Sequence, residues 1–251
     1  MIKNPNIDVI FFDLGSTLIY FDGYLPDVME LAYHELAASL SESAQTLNKD
    51  AFLSEFLSRL DAYHLERESE LIEYTTEQVL RDVLQRHGIT KLSPAELHQH
   101  LERMYSVTQA CWKVENDTYP TLQLLKQAGY RMGIISNAGD DWDVQVLIEK
   151  AGIRPFLEYI STSAAAGIRK PHPRIFQMAF EAMGVTPTRT IMVGDTLGAD
   201  ILGSKNLGMH NVWITRRVNR SDTRAHEAII LPDQTIDKLS ELPDLLKSWP
   251  S

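Results

Sequence analysis

The chain of 251 residues holds one cysteine. Cys111 therefore has no partner for an internal disulfide. Its setting, Ala-Cys-Trp, lacks the companion ligands of a metal site, so a buried core thiol is expected. Basic residues are also scarce. Lys and Arg number 24 against 34 Asp and Glu, a formal net charge of −10. The one basic stretch, Ile214-Thr-Arg-Arg-Val-Asn-Arg220, is too short for the electrostatic footprint of a nucleic-acid binder. No uninterrupted apolar run approaches membrane-spanning length, and no basic stretch leading into an apolar segment and a small-residue cleavage site opens the sequence. Repeats and low-complexity tracts are missing. These absences predict a soluble, cytoplasmic protein that engages neither nucleic acid nor membrane.

What is present begins with Ile7-Asp-Val-Ile-Phe-Phe-Asp-Leu-Gly-Ser-Thr-Leu18. The apolar run suits a buried strand, and Asp13 is released at its C-terminal edge, where open α/β sheets place their ligands. Alone, Asp13 reads as a nucleophile, a metal ligand or a helix cap. Beyond it, residues 26–40, 48–62, 66–88 and 94–115 carry apolar residues at helical spacing, with no strand pattern interrupting them. Leu80, Val83, Leu84 and His87 set such a period and Gly88 supplies a stop, while Ser93-Pro94 with Glu96 opens the next helix. From Thr118 helices and strands alternate. A helix started by Pro120 precedes the strand YRMGIIS; a helix follows Asp140-Asp141, then the short strand LEYIST. A helix after Pro173 leads to the strand TIMVGD, a helix near 199–207, the strand HNVWI and a last helix near 236–248. Such alternation predicts parallel βαβ units whose strands end on one edge of the sheet. The first strand joins that sheet, leaving the helical block as an insertion.

Four segments fall at strand ends: Asp13 to Thr17, Ser136-Asn137, Lys170-Pro171, and Asp195 with Asp200. Parallel strands bring such segments together although they are far apart in the chain. The chemistry they support is phosphoryl transfer through the protein, with the Asp13 carboxylate attacking phosphorus. Asp13 and Asp195, with Asp200 direct or through water, suit a hard divalent cation such as Mg²⁺. Hydroxyls of Thr17 and Ser136, backbone N–H groups near Asn137 and the charge of Lys170 would face the phosphate oxygens. Singly, the aspartates read as caps or turn residues, Ser136-Asn137 as a turn and Lys170 as a solvated lysine. Their joint placement favours a site.

In order and spacing these segments resemble the motifs of the haloacid dehalogenase-like (HAD) hydrolase superfamily, over nearly the whole chain. Its Asp-x-Asp-x-Thr is matched by Asp13 and Thr17, its second motif by Ser136, its Lys-Pro segment by Lys170-Pro171, and its Gly-Asp-x(4)-Asp by Gly194, Asp195 and Asp200. The resemblance implies an α/β fold, a Rossmannoid core with a parallel sheet and an inserted all-helical C1-type cap. Residues 1–18 and 114–251 would form the core, and 19–113 a cap hinged near 19–26 and 111–118. It implies Mg²⁺ held by Asp13, the backbone carbonyl of Gly15, Asp195 and Asp200. It further implies catalytic roles for Asp13, Thr17, Ser136 and Lys170, and substrate contacts from Ser136, Asn137 and Lys170. The expected partner is a small phosphorylated metabolite, bound by a monomer or homodimer.

One position departs from the pattern. The family's phosphatases carry a second Asp two residues past the nucleophile, which protonates the leaving oxygen; this chain has Gly15. General acid–base help is worth about 10² to 10⁴ in rate. The expectation is therefore a hydrolase working through an aspartyl phosphate at Asp13 and favouring good leaving groups. The alternative is a catalytically impaired member that binds a ligand or a protein. Two other branches fit less well. The dehalogenases carry Ser-Asn in the fourth motif and an Arg on the cap side, whereas here Asp195 stands and no Arg lies between Asp13 and Arg59. Phosphonoacetaldehyde hydrolases use a cap lysine as a Schiff base, and the surroundings of Lys49, Thr-Leu-Asn-Lys-Asp-Ala-Phe, do not look like that lysine's segment.

Overall fold

Val9–Phe12 forms β1, four apolar residues without exposure, as suits a strand covered on both faces. The computed structural model describes residues 3–218 and 229–249; the last two residues of the basic stretch, Asn219 and Arg220, lie outside them. β1 is the centre of a six-stranded sheet. β4 (Arg131–Ser136) pairs with it on one side and β6 (Thr190–Gly194) on the other, with β5 (Tyr159–Thr162) outside β4. β7 (His210–Ile214) and β8 (Gln234–Ile236) extend the sheet beyond β6, and every pairing is parallel. All six strands thus end on one edge.

The pleat of β1 divides the core. Ile10 and Phe12 join Ile134, Ile191 and Val193 against α5 (Thr118–Gln127), α6 (Asp141–Lys150) and α10 (Leu242–Lys247). Val9 and Phe11 face the other way, against Phe176 and Phe180 of α8 (Pro173–Met183). The insertion has an apolar core of its own. In α1 (Leu25–Ser43), α2 (Lys49–Glu70), α3 (Thr76–Arg86) and α4 (Pro94–Gln109), helical spacing brings Leu36, Leu40, Phe52, Phe56, Leu80, Val83, Leu101 and Met104 together. The Ser93–Glu96 signal is a reciprocal capping box, and Thr75–Gln78 forms a second, each cap worth about 1 kcal/mol.

Four element bounds differ from expectation. The 66–88 helix is two: α2 runs on to Glu70, Leu71 turns left-handed at φ 57°, and the Thr75 cap restarts the chain as α3. The 94–115 helix stops at Gln109, after which β3 (Trp112–Val114) pairs antiparallel with β2 (Ile19–Phe21). The insertion thus leaves the core through a two-stranded neck, and Cys111, expected buried, is half-buried there. The helix near 199–207 is a π turn, Leu197–Ile201, followed by the short α9 (Leu202–Lys205). The 236–248 segment opens with β8, whose backbone finds β7, and only then becomes α10. No helix among the described residues is long and apolar enough to cross a membrane.

Candidate active site

Asp13 follows β1 directly, and its backbone N–H donates to the Val193 carbonyl of β6 (2.9 Å). That bond sets the carboxylate at the C-terminal edge of the sheet. Asp195 follows β6 in the same way. Gly194 closes β6, and a Cβ there would collide with the Asp200 carboxylate. Glycine there lets the Asp200 carboxylate fold back against the end of β6, where it accepts the Thr196 N–H (3.0 Å). Lys170 arrives from the loop between α7 (Ser163–Ala166) and α8. Its Nζ donates to Asp13 Oδ1 (2.8 Å) and Asp200 Oδ1 (2.6 Å), with 2% of its side chain exposed. The bland reading of Lys170 as a solvated lysine is therefore excluded.

Oxygens of Asp13, Asp195 and Asp200 gather within 4.8 Å of one another, facing one ammonium. Burial, reinforced by the charges of Asp13 and Asp200, pushes the Asp195 carboxyl well above the usual carboxylate range. Burial also raises Asp200, against the pull of Lys170. For Lys170 burial opposes the charge, but the two flanking carboxylates more than offset it and hold the ammonium above the ordinary lysine range. The cluster thus carries surplus negative charge on hard oxygen donors. That is the donor set Mg²⁺ takes, through one or two carboxylates with retained water.

A cavity of about 770 Å³ opens over the cluster, walled by Asp13, Asn137, Lys170 and Asp195, by Arg169 and Arg217, and by Ser69 and Leu71 of the insertion. Other expected residues stand further back. Ser136 and Thr17 are buried beside this cavity and are not part of its wall; the Thr17 hydroxyl has no partner. The Asn137 carboxamide grips the backbone of Lys170, donating to its carbonyl (2.9 Å) and accepting its N–H (2.8 Å), so it sets the lysine's place. Gly15 is half-buried, and a Cβ there would lie 3.4 Å from the Trp112 ring.

Several residues gain a place that sequence reasoning missed. Arg216 donates to Asp117 Oδ1 (2.6 Å) and to the Thr17 carbonyl (3.0 Å), while Arg217 donates to Glu115 (2.7 Å) and lies 3.9 Å over the Tyr20 ring. Arg216 and Arg217 thus fasten the chain beside both strands of the neck. Trp213, expected in the core, is buried and donates its indole N–H to the Asp195 carbonyl (2.8 Å). A second cavity, about 210 Å³, lies between the helices and residues 138–143, lined in part by Tyr33, Tyr63, His64, Arg67 and Tyr105. His64 and Arg67 are polar groups near the expected helix turns that sequence alone leaves as exposed side chains, and nothing local marks the three tyrosines, because helical period sorts faces and not interfaces.

The family model for haloacid dehalogenase-like hydrolases matches residues 7–208. Over 240 residues the chain is 29% identical to the glyceraldehyde 3-phosphate phosphatase of Methanothermobacter thermautotrophicus, covering 96% of this chain and 100% of that one. Among solved structures, a HAD phosphatase from Thermococcus onnurineus superposes with a TM-score of 0.65 at 26% identity, over 96% of this chain and 98% of that one. A 2-haloacid dehalogenase from Pseudomonas syringae pv. Tomato superposes at 0.69 with 23% identity, over 97% and 100%, a likeness of fold.

Proposed function

The chain belongs to the haloacid dehalogenase-like hydrolase family, and on that footing we propose that it is a Mg²⁺-dependent phosphatase of a small phosphorylated metabolite, acting through an aspartyl phosphate at Asp13. The observation that carries this reading is the Asp13 carboxylate, 14% exposed, held by a buried Lys170 beside two further carboxylates. An Asp13 oxygen attacks phosphorus, the bond to the leaving oxygen breaks, and water then hydrolyses the aspartyl phosphate, returning the carboxylate. Lys170 presents a fixed charge to the phosphate oxygens, and Asn137 keeps it in place. Asp13 and Asp195, the Gly15 carbonyl and Asp200 would hold Mg²⁺, which when bound neutralises phosphate oxygens and reduces their repulsion of the attacking carboxylate. Residues 19–113 serve as a cap over the chamber.

The relative from Methanothermobacter supports a small phosphorylated metabolite as the substrate class. Gly15 narrows the choice of leaving group, since the loop after Asp13 offers no acid for a departing alkoxide. With Mg²⁺, acetyl phosphate and p-nitrophenyl phosphate should be hydrolysed well and glycerol 3-phosphate slowly. Asp13→Asn should lower every rate by at least about 10³-fold, as loss of a nucleophile does. Undiminished phosphate release from that variant would remove Asp13 as nucleophile. Gly15 also keeps a binding role in view; Mg²⁺-dependent phosphate binding without turnover of acetyl phosphate would establish it.

A further inference from the structure

Glu73 is a carboxylate, 4% exposed, for which the reaction has no use. It lies in the connector between α2 and α3, whose backbone is bonded to the core at three points. The Leu71 carbonyl accepts the Arg169 N–H (3.0 Å), the Glu73 N–H donates to the Gly167 carbonyl (3.1 Å), and the Thr76 N–H donates to the Gly139 carbonyl (2.9 Å). Ile72 and Ile168 bridge antiparallel between the first two. Over this short ladder the Glu73 side chain collects the Tyr63 hydroxyl of α2, the Ser163 hydroxyl of the core (2.6 Å) and the Arg169 guanidinium (3.6 Å).

The core partners are neighbours of the catalytic loops. Ser163 Oγ also accepts the Ala138 N–H (2.9 Å), one residue past Asn137. Arg169 precedes Lys170, and Asn137 and Lys170 are joined by the pair of carboxamide bonds. An apolar residue would seat the connector at least as well, because a buried ion pair gains little over good packing. What the carboxylate adds is direction. Two hydrogen bonds and one ion pair fix its place, and two of the three partners, Ser163 and Arg169, lead to the loops that carry Asn137 and Lys170.

We propose that Glu73 is a positioning residue that couples the seating of the helical insertion to the placement of Lys170 and Asn137. The phosphate-facing groups reach working geometry when the 71–75 connector is latched on the core. This inference rests on reading Asp13 and Lys170 as a phosphoryl-transfer site. Tyr63, pushed up to about 12 by burial and then by its bond to Glu73, stays a donor throughout the working range of pH.

The test compares Glu73→Gln, Tyr63→Phe, Ser163→Ala and the Glu73→Gln/Ser163→Ala double variant in the full chain. Residue-resolved hydrogen exchange comes first, at the amides of Ala138 and Lys170, which make no bond to the connector. In Glu73→Gln these should lose about tenfold or more in protection together with Glu73 and Thr76, as coupled local opening does. With acetyl phosphate and Mg²⁺, kcat should fall about tenfold while KM stays within about twofold, and the double variant should lose no more than either single change. Loss of protection confined to residues 71–76 and to Arg169, whose amide bonds the connector, with kcat unchanged, would overturn the proposal and leave Glu73 as a structural fastening. Tyr63→Phe removes one hydroxyl and carries the same readouts should Glu73→Gln fail to fold. If the wild type does not turn over acetyl phosphate, the phosphatase reading falls, while exchange at Ala138 and Lys170 still decides the coupling.

Discussion

Two buried polar clusters lie within a few residues of each other and are built to opposite rules. At the strand ends, Asp13, Asp195 and Asp200 face one ammonium, Lys170. At the seam with the helical insertion, the Glu73 carboxylate meets one guanidinium and two hydroxyls. The first is short of positive charge and the second is balanced. Burial makes the difference matter, since an uncompensated charge in a poorly solvated place is costly until something neutralises it. Surplus marks a place for an ion and its substrate; balance marks a fastening.

The largest break in this contrast comes from removing the ammonium that Asp13 and Asp200 share. Lys170→Met should cost about 3–5 kcal/mol of stability without divalent ions, because the buried Asp200 carboxylate and the mostly buried Asp13 carboxylate lose their partner. Millimolar Mg²⁺ should restore part of that loss, and raise the melting temperature of the variant more than that of the wild type. Ser163→Ala at the balanced seam should cost about 1–2 kcal/mol, with no response to Mg²⁺. Equal Mg²⁺ effects on wild type and Lys170→Met in thermal melts would end the account of surplus charge.

Adding a carboxylate sharpens the same contrast. The Cβ of Gly15→Asp fits in contact with the Trp112 ring at 3.4 Å. The new acid should raise glycerol 3-phosphate hydrolysis by up to about 10²-fold, and acetyl phosphate hydrolysis far less, because only the former needs a proton on its leaving oxygen. Steady-state rates on the two substrates check this; an equal gain on both would mean that the acid acts through folding or metal binding.

The smallest effect concerns a carboxylate elsewhere on the seam. Asp143 on α6 accepts Gln109 Nε2 of α4 (2.7 Å), and burial, with Asp140 adding to it, pushes its carboxyl up to about 6. A carboxyl raised in the folded state binds its proton more tightly there than in the unfolded chain. Its contribution is therefore fully present below about pH 4 and is lost as pH rises through about 6. Asp143→Asn should be more stable than the wild type at pH 7 by about 1–3 kcal/mol, with the gap closing toward pH 4. Denaturant melts across that window measure it, and a gap independent of pH would show that Asp143 does not titrate there.

Legibility follows the range of the interactions involved. The strands β1, β4, β6 and β7 could be read because a short apolar run between turn signals is a local pattern. Asp13, Lys170, Asp195 and Asp200 could be grouped because parallel strands share an edge, and they do meet. Leu71 to Thr75 could not be recognised as a break, since apolar spacing continues across it and its hydrogen-bond partners lie at residues 139 and 167–169. β3 and β8 are three residues each and exist only through β2 and β7. The role of Glu73 was hidden for the same reason: a glutamate on an expected helix reads as a solvated face until its partners arrive from the core.

The two-stranded neck imposes an order on synthesis. β1 pairs only with β4 and β6, both encoded beyond residue 130, while the helical insertion carries its own core and comes first. At about 5–20 residues per second, a ribosome needs on the order of ten seconds to pass from β1 to the end of β4. Through that interval Val9 to Phe12 has neither neighbour, and the helices between can already pack. The helical insertion is therefore synthesised in full before the sheet that holds Asp13 can begin to close, and β1 waits for both of its partners.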